Sequence, residues 1–179
     1  MKELILYVAN CCKDDAKFGA RKLNKILFYS DFLCYLAFGK AITDQEYFAI
    51  KEGPAPRRLV PIREELRLNG DIEIQKVECF RYFQDRVVAL RESDLSVFEA
   101  EEIKIVDLVI ENLKNLNGRD VSERSHEFVG WKAAIARGEK TTIPYSTVRF
   151  DVDGFWGLET PELTEELLEH GRSLAGVAA

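Results

Sequence analysis

Apolar residues recur along this chain at two distinct spacings, and the change between them divides it. Leu4, Ile5 and Val8 share one face of residues 2–10, which predicts a first short helix. Leu23, Ile26, Leu27, Phe32, Leu33 and Leu36 then recur at helical spacing, with aromatic residues filling the gaps. They predict a helix from Phe18 to Phe38, roughly 30 Å long at 1.5 Å per residue. It is apolar nearly all round, the signature of a helix at the centre of a core. Gly39 is its natural stop, because glycine enters the left-handed C-cap conformation without a steric penalty. After a polar link comes Tyr47-Phe48-Ala49-Ile50-Lys51, then the rigid turn Gly53-Pro54-Ala55-Pro56. A third helix is predicted from Arg57 to Leu68, closed by Asn69-Gly70.

From Asp71 to Leu90 the period falls to two. Ile72, Ile74 and Val77 alternate with charged residues, and Phe80, Tyr82, Val87, Val88 and Leu90 keep the β-favouring composition, so a hairpin turning near Gln84-Asp85 is predicted. Ser96 and Glu99 read as a capping box that opens a helix through about Leu116. Ile103, Val106, Val109, Ile110 and Leu113 form its buried stripe, and Gly118 ends it. Asp120 with Glu123 caps a short helix through His126, and another runs from Val129 to Ala136, stopped by Gly138. Thr160-Pro161 restarts a helix in the last thirty residues. The pattern predicts an α+β fold: a mainly helical single domain with a long buried central helix and a small antiparallel β-hairpin sheet.

The order K-L-x-K-I-L-F-Y-S-D, a helix ending at Gly, then I-T and Y-x-A-x-K-x-G-P-x-P between Lys22 and Pro56 resembles the SocA-like antitoxin family, also called the Panacea domain. Ser125-His126-Glu127, Trp131-Lys132-Ala133-Ala134 and Ile143-Pro144-Tyr145 look like the family's closing pattern. Ala55 stands where many relatives carry Val, which keeps the small apolar character. The resemblance covers about residues 5–148, so residues 1–150 are read as the SocA-like domain and 151–179 as a C-terminal helical extension packed on it or flanking it. It implies an antitoxin that neutralises a cognate small toxin by direct protein–protein binding, with one described mode in which the antitoxin is an adaptor delivering the toxin to an ATP-dependent protease. Many relatives add a DNA-binding helix-turn-helix. Here only a short helix precedes the match, so autorepression through DNA is not expected.

Composition narrows the alternatives. The 179 residues suit one core, and 46% hydrophobic with 31% charged residues is the mixture of a soluble globular protein. No apolar run reaches the roughly 18 residues that span a bilayer. Met1-Lys2-Glu3 lacks the basic start of a signal peptide. The expectation is therefore cytoplasmic, with no membrane partner. A net charge of −6 argues against general nucleic-acid affinity, where a basic excess would neutralise phosphates. Cys11, Cys12, Cys34 and Cys79 lack C-x-x-C spacing and are expected as buried, reduced thiols.

Candidate chemistry is sparse. His126 and His170 are the only imidazoles, and a cysteine hydrolase would have to pair a thiol with His126 and an orienting carboxylate. Nothing around the cysteines resembles a nucleophile motif. His126 reads as stabilising a helix end or hydrogen-bonding a backbone carbonyl beside Trp131. Two distant histidines make no metal site, and no glycine-rich loop matches a phosphate or dinucleotide fingerprint. The expectation is a binding protein, not an enzyme, with no catalytic residue, cofactor or metal. Glu99, Glu101 and Glu102 suit the first turns of a helix, where the macrodipole favours negative charge.

Two surfaces are candidates for a partner. The Gly53–Pro56 turn either simply joins two elements or, flanked by Tyr47, Lys51, Arg57 and Arg58, is a pre-ordered docking edge that loses little entropy on binding. The expected partner-binding residues are accordingly Tyr47, Lys51, Gly53, Pro54, Pro56, Arg57 and Arg58. On the following helix, Arg63 and Arg67 share a face diluted by Glu64 and Glu65, which reads first as solvated, then as a site for an acidic partner, and last as a nucleic-acid contact. Trp131 and Trp156 read as core or edge anchors, with Trp156 a potential exposed binding aromatic. Two rival functions stand beside the antitoxin: a phage or mobile-element accessory protein binding a host factor, and a small thiol hydrolase.

Overall fold

The computed structural model describes residues 1–79 and 82–150. The elements follow in the order α1 (Lys2–Cys11), α2 (Ala20–Phe38), β1 (Tyr47–Ile50), β2 (Gly53–Pro56), α3 (Leu59–Leu68), β3 (Ile72–Cys79), β4 (Tyr82–Ala89), α4 (Ala100–Leu113), α5 (Gly118–Ser125), α6 (Val129–Arg137) and β5 (Thr142–Ile143). Short 3₁₀ turns cover Leu95–Val97 and Tyr145–Phe150. The fold is a mainly helical α+β single domain with small antiparallel sheets, as the hydrophobic pattern predicts. Among the described residues no helix is long and apolar enough to cross a membrane.

Helix α2 is the axis. Leu23, Ile26, Leu27, Phe28, Phe32, Leu33 and Cys34 are all buried, and α1, α4, α5, the β1–β2 hairpin and the last 3₁₀ turn pack around them. Aromatic residues concentrate at its centre: the Phe28 and Phe32 rings lie 4.7 Å apart, and both meet Phe128 at 5.4 Å. A helix surrounded on every side needs no polar face, which is why its sequence shows no clear amphipathic stripe. It ends where glycine permits: Gly39 has φ 72° and its N–H donates to the Tyr35 carbonyl.

Several boundaries differ from the sequence reading. Two sheets form instead of one: β3 pairs with β4, and a three-stranded sheet has the order β2–β1–β5. Gly53–Pro56 is not a turn but strand β2, and the chain reverses at Lys51-Glu52. Gln84 and Asp85 lie inside β4, opposite Val77 and Lys76, because the β3–β4 register closes with Cys79 opposite Tyr82. Burial of Ile72 and Val87 sets that register, and a slip by one residue would turn both to solvent. Helix α4 is capped by Glu99, whose N–H donates to the Glu102 carboxylate at 3.0 Å, while Ser96 caps nothing and is held by Asp94. Gly118 opens α5 instead of closing α4, with Asn117 accepting from the N–H groups of Arg119 and Asp120. Cys12 and Cys34 are buried thiols as expected, but Cys11 is exposed. The expected C-terminal helix from Thr160, with Trp156 and His170, lies outside the described residues.

Candidate functional site

The sequence block from Lys22 to Pro56 and the later Ser125–Tyr145 block meet on one structure, the β1–β2 hairpin and the polar groups beneath it. In β2 the prolines occupy alternate positions. Arg57 donates its N–H to the Glu46 carbonyl at 2.8 Å, so residues 53, 55 and 57 turn their backbone toward β1 and residues 54 and 56 turn away. Proline lacks the N–H, and at these outward positions the ladder loses nothing. The outward carbonyl of Pro54 accepts from Lys25 Nζ at 2.9 Å. Lys25 projects from α2 and is 1% exposed, and burial pushes its amine down to about 7. Gly53 (φ +101°) makes that approach possible, because a Cβ there would lie 2.8 Å from Lys25 Nζ and closer still to Ser125 Oγ.

A second buried anchor holds the start of the hairpin. Asp31, on α2, accepts from the Thr43 N–H at 2.8 Å, from Thr43 Oγ1, and from the Tyr47 hydroxyl at 2.8 Å. Burial pushes its carboxyl up to about 6, with the Thr43 and Tyr47 hydrogen bonds opposing that shift. Tyr145 donates to the Gln45 carbonyl at 2.7 Å and stacks on Tyr35 with ring centroids 5.4 Å apart. At the hairpin tip Trp131 Nε1 donates to the Ile50 carbonyl at 2.9 Å, and the His126 ring stacks on the Trp131 ring at 4.2 Å. His126 also follows the last residue of α5 and bonds the Lys51 backbone, so both structural roles expected for it are present. Its pKa is lowered by burial first, then by Lys25. Ser125 Oγ donates to the Ser122 carbonyl at 2.7 Å.

These contacts sort the expected partner-binding residues. Tyr47, Gly53, Pro54 and Pro56 are buried, so the docking edge read from the sequence is in part an internal strand. Lys51, Arg57 and Arg58 are exposed. Lys51 sits at the reversal and the two arginines beyond the far end of β2, about 15 Å away along the strand. Arg57 is tied down: Nε pairs with Glu46 at 2.8 Å, the guanidinium reaches Thr142 Oγ1 at 3.3 Å and lies over the Phe48 ring at 5.1 Å. Arg63 and Arg67 do not act as one solvated pair, since Arg63 is half-buried and Arg67 is bonded to Glu64 at 2.7 Å. Among the described residues no group of three or more His, Cys, Asp or Glu is placed to hold a metal.

The family model for the SocA-like antitoxin, Panacea domain, matches residues 23–132, well over half of the chain. The chain belongs to this family. No curated protein and no solved structure matches it at a significant level. In this Panacea domain the motif residues Lys25, Asp31, Tyr47, His126 and Trp131 fasten the hairpin to α2 and α6, and Gly53 leaves room beneath it for Lys25 and Ser125. Lys25, Asp31 and Ser125 were missed as a functional group by sequence reasoning. The one signal for Lys25 and Asp31 was the presence of ionisable residues in a helix otherwise apolar all round, where an unpaired charge is unfavourable and demands a partner; Ser125, on α5, gave none.

The two buried ionisable groups give stability opposite pH dependences. Between pH 7 and about 10 the unfolded chain keeps the Lys25 amine protonated while the folded chain does not, so stability rises with pH. Between about 4 and 6 the folded chain keeps Asp31 protonated and the unfolded chain does not, so stability falls as pH rises. Urea denaturation of the native chain and of Lys25→Met at pH 7.5 and 9.5 isolates the lysine from the buried thiols, whose raised pKa values lower stability in both proteins over the same window. The stability of the native chain relative to the variant should rise by about 2 kcal/mol at the higher pH, from ~1.4 kcal/mol per pH unit. A difference that does not change with pH would show that Lys25 stays protonated in the fold.

Proposed function

We propose that this Panacea-domain protein is an antitoxin that neutralises a cognate toxin by direct protein–protein binding, without chemistry of its own, and that the face around the β1–β2 hairpin contributes to the contact. The observation that supports this is the construction of the hairpin. The start of β1, the Pro54 carbonyl of β2 and the tip are held by Asp31, Lys25 and Trp131 from α2 and α6, so Lys51, Arg57 and Arg58 are displayed on a rigid framework and lose little freedom when a partner docks. Tyr47, Gly53, Pro54 and Pro56 serve that surface from beneath. Lys25 and His126 are committed to a hydrogen bond and a ring stack that hold the hairpin, and the Ser125 hydroxyl is committed to the Ser122 carbonyl within α5. The delivery of the toxin to an ATP-dependent protease is the further step of this reading.

Co-expression with the product of the adjacent open reading frame, scored for growth rescue and co-purification, tests neutralisation. Charge reversal at Lys51 and Arg58 tests the surface; Arg57 is left in place because its ties to Glu46 and Thr142 are structural. The Lys51→Glu, Arg58→Glu double variant should bind the partner at least tenfold more weakly, about 1.4 kcal/mol, with its melting temperature nearly unchanged. Unchanged affinity would move the contact to another face.

A further inference from the structure

A groove of about 820 Å³ opens between the start of α2, the start of α5 and strand β4. Lys17, Arg21 and Arg119 line it, with Asp85 the acidic member. Arg21 is exposed and, among the described residues, pairs with no carboxylate. Lys17 Nζ donates to the Asn115 carbonyl at 2.7 Å, a neutral partner that leaves its charge uncompensated. Arg119 pairs with Glu123 at 2.7 Å, but at 81% exposure the pair is weak and the guanidinium can exchange partners. Asp85 is shared with a cation outside the groove, since it partly offsets the burial of the Arg63 guanidinium. Phe83 leaves 72% of its surface uncovered at one wall.

This charge is a local concentration. Residues 151–179 hold seven of the chain's 31 Asp and Glu but one of its 25 Lys and Arg, which leaves 24 of each in residues 1–150. Three cations around one acid in a groove of such a balanced domain make a field of their own. The balance disfavours nucleic acid, because a phosphate chain leaving the groove meets as many acids as bases. A short acidic stretch of protein needs only the groove itself, and the volume accepts a few side chains.

The groove also adjoins the hairpin face. Helices α2 and α5 run side by side from one to the other. A Cβ on Gly118 would lie 3.3 Å from Arg21 Cβ at the groove, and Lys25 and Ser125 meet beneath Gly53 at the hairpin. Arg119 and His126, which bonds the Lys51 backbone, are about 10 Å apart along α5. One partner can therefore touch Lys51 and enter the groove. Glu52 follows Lys51 at the reversal, so the positive charge is concentrated in the groove and not at the tip.

We propose that this groove receives an acidic segment of the partner protein, its carboxylates against Lys17, Arg21 and Arg119 and an apolar side chain against Phe83. Arginine suits that role, because its planar fork takes a carboxylate through two parallel hydrogen bonds. The inference rests on the antitoxin reading for the identity of the partner, while the chemistry of the groove is tested apart from it.

Fluorescence polarisation of the full chain with a labelled peptide of roughly ten residues, glutamates flanking two central leucines, is that test. Binding should saturate at low salt and weaken at least tenfold in about 0.5 M NaCl, which screens the rim. Arg21→Glu with Arg119→Glu should weaken it at least tenfold, and Phe83→Ser at least threefold. The same charge change on exposed positions outside the groove, Arg67→Glu with Lys104→Glu, should leave it within about twofold. Where the groove reversal lowers the melting temperature, Arg21→Gln with Arg119→Gln replaces it and should weaken binding at least threefold. Absence of saturable binding overturns the proposal, as does binding that the groove variants leave unchanged. An oligothymidylate that binds as tightly as the peptide also overturns it, by assigning the groove to nucleic acid. In the complex with the product of the adjacent open reading frame, the groove reversal should raise Kd at least tenfold. An unchanged Kd there overturns the proposal and leaves the antitoxin reading standing. A chain that takes the peptide but forms no such complex supports the groove and refutes the antitoxin reading.

Discussion

Gly53→Ala should destabilise the protein by about 3 kcal/mol or more, while Gly39→Ala should lower stability by about 1–2 kcal/mol. Both glycines have positive φ, +101° and +72°, so both substitutions carry the backbone strain of an L residue in that region. They differ in surroundings. At Gly39 a Cβ meets nothing within 4 Å, whereas at Gly53 it collides with Lys25 Nζ and Ser125 Oγ. Relief would require Lys25 to leave the Pro54 carbonyl, which would strand a buried amine and a buried carbonyl together. The difference between the two variants in urea denaturation thus isolates the clash under the hairpin. Equal losses would show that the Lys25 side chain moves aside freely and that the anchor is weak.

The second large effect belongs to the central helix. Leu27→Ala and Leu33→Ala should each cost about 2–5 kcal/mol, from lost transfer free energy and the cavity left behind. Leu27 is 0% and Leu33 2% exposed, with elements packed on every side of α2. Neighbours held by several elements collapse poorly into a void, which places both near the upper part of that range. Against a domain's total of about 5–15 kcal/mol, either loss is a substantial fraction. Denaturant midpoints shifted by less than the equivalent of about 1 kcal/mol at both positions would show that the core relaxes around α2.

Elements with a strong local signal were legible in the chain alone. Helices α1, α2, α3 and α6 and the β3–β4 hairpin follow from apolar period and glycine stops, which act within a few residues of where they are written. The family was equally legible, because its motif is a matter of residue order. Two local signals were misassigned, since Ser96 does not cap α4 and Gly118 does not end it; the larger failures were features set by distant partners. Gly53-Pro54-Ala55-Pro56 looked like a turn because proline is uncommon in strands; it becomes a strand because β1 pairs with it on one edge and Lys25, 29 residues away, takes the carbonyl on the other. The two-residue strand β5 has no local signal and exists because Lys140 and Thr141 bond Ala49.

The sequence by itself determined a helical α+β domain around one apolar helix, its membership of the Panacea family, and an acidic excess confined to the last 29 residues. Each is a property of composition or short-range order. The tertiary structure alone decided that the motif residues point inward as anchors, that only Lys51, Arg57 and Arg58 of the expected contact residues reach the surface, and that Lys17, Arg21 and Arg119 share one groove. The reason is physical: whether a polar side chain binds a partner or the fold depends on what lies within about 3 Å of it, and those neighbours come from up to 100 residues away.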